Sequence, residues 1–269
     1  LRAKSTPSTR SCESPREMNG QKPVRETRGP SKCADQLYWF RWMIGHQTTF
    51  IFWQLLERTF VQAIATDSPA AREEKYRHAA NLVRGYSAML LYCGSCTRED
   101  YHRLIRPSMA RHHPGFSGAW ARDYRGIRSL LRGSAAARQT AADADLARAC
   151  SLNNQIHQGI AQKLVPDAPS LLQETIGNGG PLNRGMLHYV FDTFFMTLRA
   201  SLPPGAVLLQ MLRRFRAIRL DVDTNGLNPP FASSDYECPD FLTSPEIIEI
   251  ADTIPDLLDS IAQYEMAMM

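Results

Sequence analysis

The stretch IGHQTTFIFWQLLERTF, Ile44 to Phe60, decides the fold. Its apolar residues crowd most faces of a helix instead of alternating as a strand's would, and it contains no proline, so it predicts a long buried helix. His46 stands near its start. On helical spacing His46, Thr49, Phe50, Trp53 and Phe60 share one side, with Glu57 on the same stripe, which sets a titratable ring one turn above an aromatic wall. A lone histidine in such a setting is commonly a core residue bonded to a backbone carbonyl; the functional alternative is an acid/base group facing a dry pocket. Gly45 beside it is a position where another body can approach the backbone closely.

Working outward, helical periodicity recurs over 36–66, 70–92, 98–111, 117–132, 138–165, 184–201, 205–219 and 245–266. Helix-stopping clusters separate these segments: TDSPA, YCGSC, HHPG, VPDAP, GNGGP and LPPG. Strand alternation between tight hairpin signals is almost absent, so the expected class is all-α. Residues 1 to 34 are polar, charged and rich in proline, glycine and serine, and read as a flexible N-terminal arm; 35–269 read as one helical domain. Segment 220–244 has no periodicity and is expected to be a long irregular connection.

Composition excludes several classes. The chain has 269 residues and is 43% hydrophobic, enough to close a substantial core. Its net charge of +4 is spread among acidic residues, so no basic patch for nucleic acid or a membrane surface emerges. No apolar run reaches the ~18 residues of a membrane span. Six cysteines in a chain of this length are no disulfide framework, and the expectation is a soluble, cytoplasmic protein. Cys93 and Cys96 form one Cys-x-x-Cys, which without a second pair reads as two thiols at a helix end ahead of a redox or zinc role.

A second histidine repeats the pattern of the first. His188, in LNRGMLHYVFDTFFMTLRASL, has Phe191 and Phe195 on its face and Gly185 three residues before it. Plain core is the common reading of such a face; a ring ligating the iron of a flat porphyrin is the alternative. The remaining histidines lie on separate segments, without the spacing of a zinc cage.

Two motifs then change the weighting. HQTTFIFWQLLERTF resembles the segment of heme-dependent tryptophan 2,3-dioxygenases in which His-Gln leads an aromatic helix ending in an acidic residue. TREDYHRLIRPSMARHHPGFSGAWARDYRGIRSL, about 60 residues later, is similar to the same superfamily's run of an aromatic and an arginine, a Gly-Phe turn, and an aromatic-arginine helix. The matching positions are Tyr101, Arg106, Gly115, Phe116, Ser117, Tyr124 and Arg128. SLPPGAVLL stands where the dioxygenases carry a glycine-rich loop, and Phe-Ile-Phe-Trp-Gln where they carry Glu-Leu-Trp-Phe-Lys. The pattern therefore looks closer to the histidine-ligated heme tyrosine hydroxylases of bacterial antibiotic pathways. A sister enzyme of that branch hydroxylates 3-methyltyrosine and attaches its heme through His-x-x-x-Cys, a spacing this chain lacks.

This resemblance implies an all-α helical bundle of the tryptophan 2,3-dioxygenase type around a non-covalent heme b. It implies hydroxylation of L-tyrosine to 3,4-dihydroxyphenylalanine with hydrogen peroxide, or with dioxygen and a reductant. His46 would be the distal acid/base group, of near-neutral pKa. Arg106 would hold the substrate carboxylate through a bidentate fork, with Ser117 supporting that end and Tyr101 as a further polar contact. Phe50, Trp53 and Phe116 would wall the substrate ring. His188 would ligate the iron, with His157 as its competitor. A homo-oligomer is expected from the superfamily. The alternatives are dioxygenation of an indole or tryptophan-like substrate, and a helical protein that binds heme without turnover or keeps both histidines as core.

Overall fold

The computed structural model describes residues 30–131, 140–166, 169–177, 184–228 and 242–269. Every regular element among them is helical. Helices α1 (Pro30–Ala65), α2 (Pro69–Cys93) and α6 (Ala141–Leu164) form the body, α2 lying between the other two. The short α3 (Arg98–Asp100) runs through a π-helical turn (Tyr101–Ile105) into α4 (Arg106–His112). Next come a 3₁₀ turn (Gly118–Trp120), α5 (Tyr124–Leu131), α7 (Leu171–Gly177) and α8 (Arg184–Phe194). Helices α9 (Pro204–Asn225), α10 (Pro245–Asp252) and α11 (Ile254–Ala267) complete the bundle, α11 packing on α9 and α2. No described helix is long and apolar enough to cross a membrane.

The core follows from the run that opens the sequence. Phe52 and Leu56 of α1 are fully buried in one core cluster with Ala79, Ala80, Leu82 and Val83 of α2, the helix on which α1 packs, and the two alanines keep that face of α2 low. Local signals set the boundaries. Ser68 and Thr97 cap the helices that follow them, and Thr140 with Asp143 forms a reciprocal capping box on α6.

One buried charge ties the bundle across its width. Arg41, 0% exposed, donates to both carboxylate oxygens of Asp221, to Ser95 and to the carbonyls of Gly226 and Leu227. Tyr92 gives Asp221 a further bond of 2.6 Å, so the pair is saturated with partners, the condition on which a buried ion pair is tolerated.

Several expected boundaries are corrected. The helix expected over 184–201 stops at Phe194, because Met196 turns into the left-handed region (φ 50°). Thr197 N–H then reaches the Asp192 carbonyl and Met196 N–H the Thr193 carbonyl, the paired bonds that close a helix C-terminus. The segment 117–132 is a 3₁₀ turn and a separate helix, α5. Helix α9 runs to Asn225, past the expected end at 219, because Asp221 and Asn225 are anchored by the Arg41 network. The segment 245–266 is two helices, with Pro255 starting the second. Helix α7 was missed, being a short element between proline and glycine clusters. Helix α1 begins at Pro30, inside the expected arm, whose first 29 residues lie outside the described residues, as do 229–241 of the expected irregular connection.

Candidate active site

Helix α1 presents Trp42, His46, Phe50 and Trp53 as one stripe. The His46 ring lies 4.4 Å from Trp42 and stacks on Phe195, centroids 4.7 Å apart and 19° from parallel. Gln47 fixes that approach by donating from its amide to the Phe195 carbonyl at 2.8 Å. The Nδ1 of His46 is 2.7 Å from the Trp42 carbonyl. A carbonyl only accepts, so Nδ1 carries the hydrogen and Nε2 the lone pair. Burial among these rings lowers the His46 pKa to about 4, the Trp42 carbonyl partly opposing it. The expected near-neutral value is thereby corrected: aromatic walls cannot solvate an imidazolium.

Behind the ring, Cys93 Sγ lies 3.4 Å from Nδ1. Gly45 makes the space, since a Cβ there would fall 2.3 Å from that sulfur. Burial pushes the Cys93 thiol far up and that of Cys96 up to about 11, so both stay protonated at neutral pH and neither is a ready metal ligand or nucleophile. Among the described residues no cluster of His, Cys, Asp and Glu with metal-binding geometry occurs.

The π-helical turn positions Tyr101. Pro107 has no N–H, and its ring would collide with the carbonyl of residue 103 in a regular helix; the chain widens instead, and Arg106 N–H bonds the Tyr101 carbonyl. Tyr101, 8% exposed, packs 5.8 Å from Trp42 and hydrogen-bonds the Arg106 side chain; burial is the main cause of its raised pKa. Arg106 itself donates to Glu174 at 2.6 Å and to the Pro169 carbonyl at 3.0 Å. Its guanidinium is thus held by α7, the element sequence reasoning missed.

The Gly-Phe turn places Phe116. Its ring packs against Phe191 (5.6 Å), Phe194 (4.8 Å) and Phe195 (6.1 Å). Gly115 is required there, because a Cβ would meet Thr175 at 2.9 Å. Phe50 joins the same cluster through Phe191 and Phe195, each at 5.4 Å. Trp53 lies beyond it, against Tyr86 at 5.4 Å and Tyr124 at 5.1 Å. Ser117 caps the 3₁₀ turn, its hydroxyl accepting from Ala119 N–H.

His188, on α8, is joined to His46 through the Trp120 backbone carbonyl and then the successive ring contacts of Trp120, Phe116 and Phe195. Its Nδ1 lies 2.6 Å from the Trp120 carbonyl and its Nε2 3.3 Å from an Arg125 nitrogen. The carbonyl can only accept and the guanidinium only donate, so Nδ1 is protonated and Nε2 is a free base. His157, by contrast, is exposed on α6.

The structure thus gathers His46, Phe50, Phe116 and the α8 phenylalanines into one cluster, with Tyr101 and Arg106 attached through Trp42, while Ser117 serves a local cap. It adds Trp42, Cys93, Trp120 and Arg125. Trp42 was legible as the residue one turn before His46; nothing in the sequence ties the other three to a histidine, the Cys-x-x-Cys of Cys93 included, because each reaches its histidine from a different element.

No relative is found among the curated proteins. A family model described as SfmD 3-methyl-L-tyrosine peroxygenase matches residues 2–149, a span that takes in His46, Tyr101, Arg106 and Arg125 and ends before His157 and His188. More than half of the chain lies within that match, and the chain therefore belongs to the SfmD 3-methyl-L-tyrosine peroxygenase family.

Proposed function

We propose that the protein is a heme-dependent oxidising enzyme that uses hydrogen peroxide to hydroxylate the ring of a tyrosine-type amino acid, ortho to its phenol, in bacterial natural-product biosynthesis. Family membership carries the reading, the family being named for 3-methyl-L-tyrosine and for peroxygenase chemistry. L-Tyrosine itself is the second substrate to test, since the motifs around His46 and Tyr101 resemble the tyrosine hydroxylases.

The donor set suits a heme. His188 makes the bond by which metal-ligating histidines are commonly oriented, Nδ1–H to a backbone carbonyl, which leaves Nε2 as the ligand atom. Among the described residues the buried indole N–H groups of Trp42 and Trp53 meet no acceptor, which suits polar contact with a guest beside the His46 stripe. When bound, heme supplies the two-electron use of peroxide, by which a ring C–H becomes C–OH and the second peroxide oxygen leaves as water.

The chain's own residues do the remainder. His46 stays neutral at physiological pH, so its Nε2 is able to take a proton from peroxide and return it to the departing oxygen. Cys93 and the Trp42 carbonyl fix the ring that does so. Phe50, Phe116 and Trp53 exclude water and hold the substrate ring edge-on, and Arg106 with Tyr101 receives the amino-acid carboxylate.

The test is an absorption spectrum of the protein from heme-supplemented cells, followed by 3-methyl-L-tyrosine or L-tyrosine with peroxide. A Soret band and a product one oxygen heavier support the proposal, and relative kcat/KM ranks the two phenols. A colourless protein that also fails to take up added hemin would overturn it.

A further inference from the structure

Three guanidiniums surround the exposed side of α8, and two of them are neutralised. Arg199 binds Asp192 at 2.9 Å and Asp123 at 2.6 Å. Arg122 lies 3.7 Å from the same Asp192 and covers the Tyr189 ring at 5.0 Å. Arg125 differs, because its partner is the uncharged Nε2 of His188. Among the described residues it forms no ion pair; the Glu57 carboxylate abuts Gly126 next door without joining it. An exposed guanidinium whose partner is a neutral imidazole is one carboxylate short.

We propose that Arg125 anchors a carboxylate of the porphyrin that His188 ligates. This rests on the heme reading given above. Nε2 has one lone pair, so it cannot both bond iron and accept the Arg125 N–H. Ligation therefore frees the guanidinium beside the macrocycle edge, where a propionate takes the place of the imidazole as acceptor. The exchange is favourable, because a guanidinium–carboxylate bond is about twice as strong as one to a neutral acceptor and can be bidentate. Its exposure suits the solvent edge at which propionates lie. Arg125 and the Trp120 carbonyl together hold the His188 ring from its two nitrogens, so Nε2 already faces the side from which the anchor would act.

Three porphyrins separate the contributions in titrations of heme-free protein, read by absorbance and tryptophan quenching. Hemin has iron and two carboxylates, metal-free protoporphyrin IX only the carboxylates, and hemin dimethyl ester only the iron. Arg125→Gln weakens hemin and protoporphyrin IX by about 5- to 10-fold and leaves the ester unchanged, the size expected of one charge-assisted bond at a solvent edge. Arg125→Lys recovers most of the loss. His188→Ala shows the complementary pattern, weakening hemin and the ester but not protoporphyrin IX. An unchanged hemin affinity in Arg125→Gln, or an equal loss on the ester, overturns the anchor while leaving the heme reading standing. Failure of the unaltered protein to bind hemin sinks both.

Discussion

His188 donates its Nδ1–H to the backbone carbonyl of Trp120 across 2.6 Å, so the 3₁₀ turn of one segment sets the tautomer of a ring on another. With Nδ1 committed, Nε2 is the only ligand atom the residue has to offer. His188→Ala should therefore abolish stoichiometric heme, and His157→Ala should retain it. The heme-to-protein ratio of each variant, purified from heme-supplemented cells, checks this. Loss on His157→Ala alone would move the iron to α6.

His46 should behave in the opposite way. Its ring is held by the Trp42 carbonyl and stacked on Phe195, and its proposed task is proton transfer and not ligation. His46→Ala is expected to keep heme and lose turnover by on the order of 10²-fold or more, the usual contribution of a positioned acid/base group. Full activity in a heme-replete His46→Ala protein would remove that role.

Acid stability supplies an independent check on the same ring. Its pKa is lowered from 6.5 in the unfolded chain to about 4 in the folded one. Between those values the unfolded state binds more protons, so this contribution is intact above pH ~6.5 and is lost as pH falls toward ~4. The loss should approach, at most, about 3 kcal/mol. Urea midpoints at a series of pH values should flatten over this window in His46→Phe, and parallel curves for the two proteins would contradict the buried, neutral assignment.

How much of this was legible in the chain varies by element. The α1 stripe was readable because period and apolarity agree over many turns, and Trp42, His46, Phe50 and Trp53 fall on it by spacing alone. The end of α8 was not, because Met196 adopts a positive φ that nothing in FFMTL announces. Helix α7 was hidden by its brevity, and with it the partner of Arg106. The tautomer of each histidine also escapes sequence, since it depends on a carbonyl whose direction only the fold sets. The expected pKa of His46 was wrong for the same reason, because Phe195 and Cys93 arrive from α8 and α2.

Gly45 should tolerate no side chain. A Cβ there would lie 2.3 Å from Cys93 Sγ and 3.2 Å from the Tyr92 ring, both on α2. Gly45→Ala gains helix propensity but forces α1 and α2 apart, and a net destabilisation of about 1–3 kcal/mol is expected in urea unfolding. Pairing it with Cys93→Ala should recover much of the loss, since the sulfur is the nearest obstacle; a double variant no more stable than Gly45→Ala would place the strain elsewhere.

Arg106 and Glu174 offer the sharpest test of substrate binding. The Arg106 guanidinium already holds the Glu174 carboxylate, and an incoming amino acid has to compete with it. Arg106→Leu should then weaken amino-acid binding by about 10-fold or more, as expected for loss of a charge-assisted fork. Glu174→Gln should tighten it by about 2- to 5-fold, because the internal competitor loses its charge while Arg106 keeps its own. If the pair serves only to hold α7 down, both substitutions loosen that helix and neither changes binding in its own direction. Substrate titrations of the two variants, read beside limited proteolysis near α7, distinguish the outcomes. Opposite shifts in affinity identify Arg106 as the carboxylate site, whereas matching susceptibility to protease at constant affinity makes it a structural clamp.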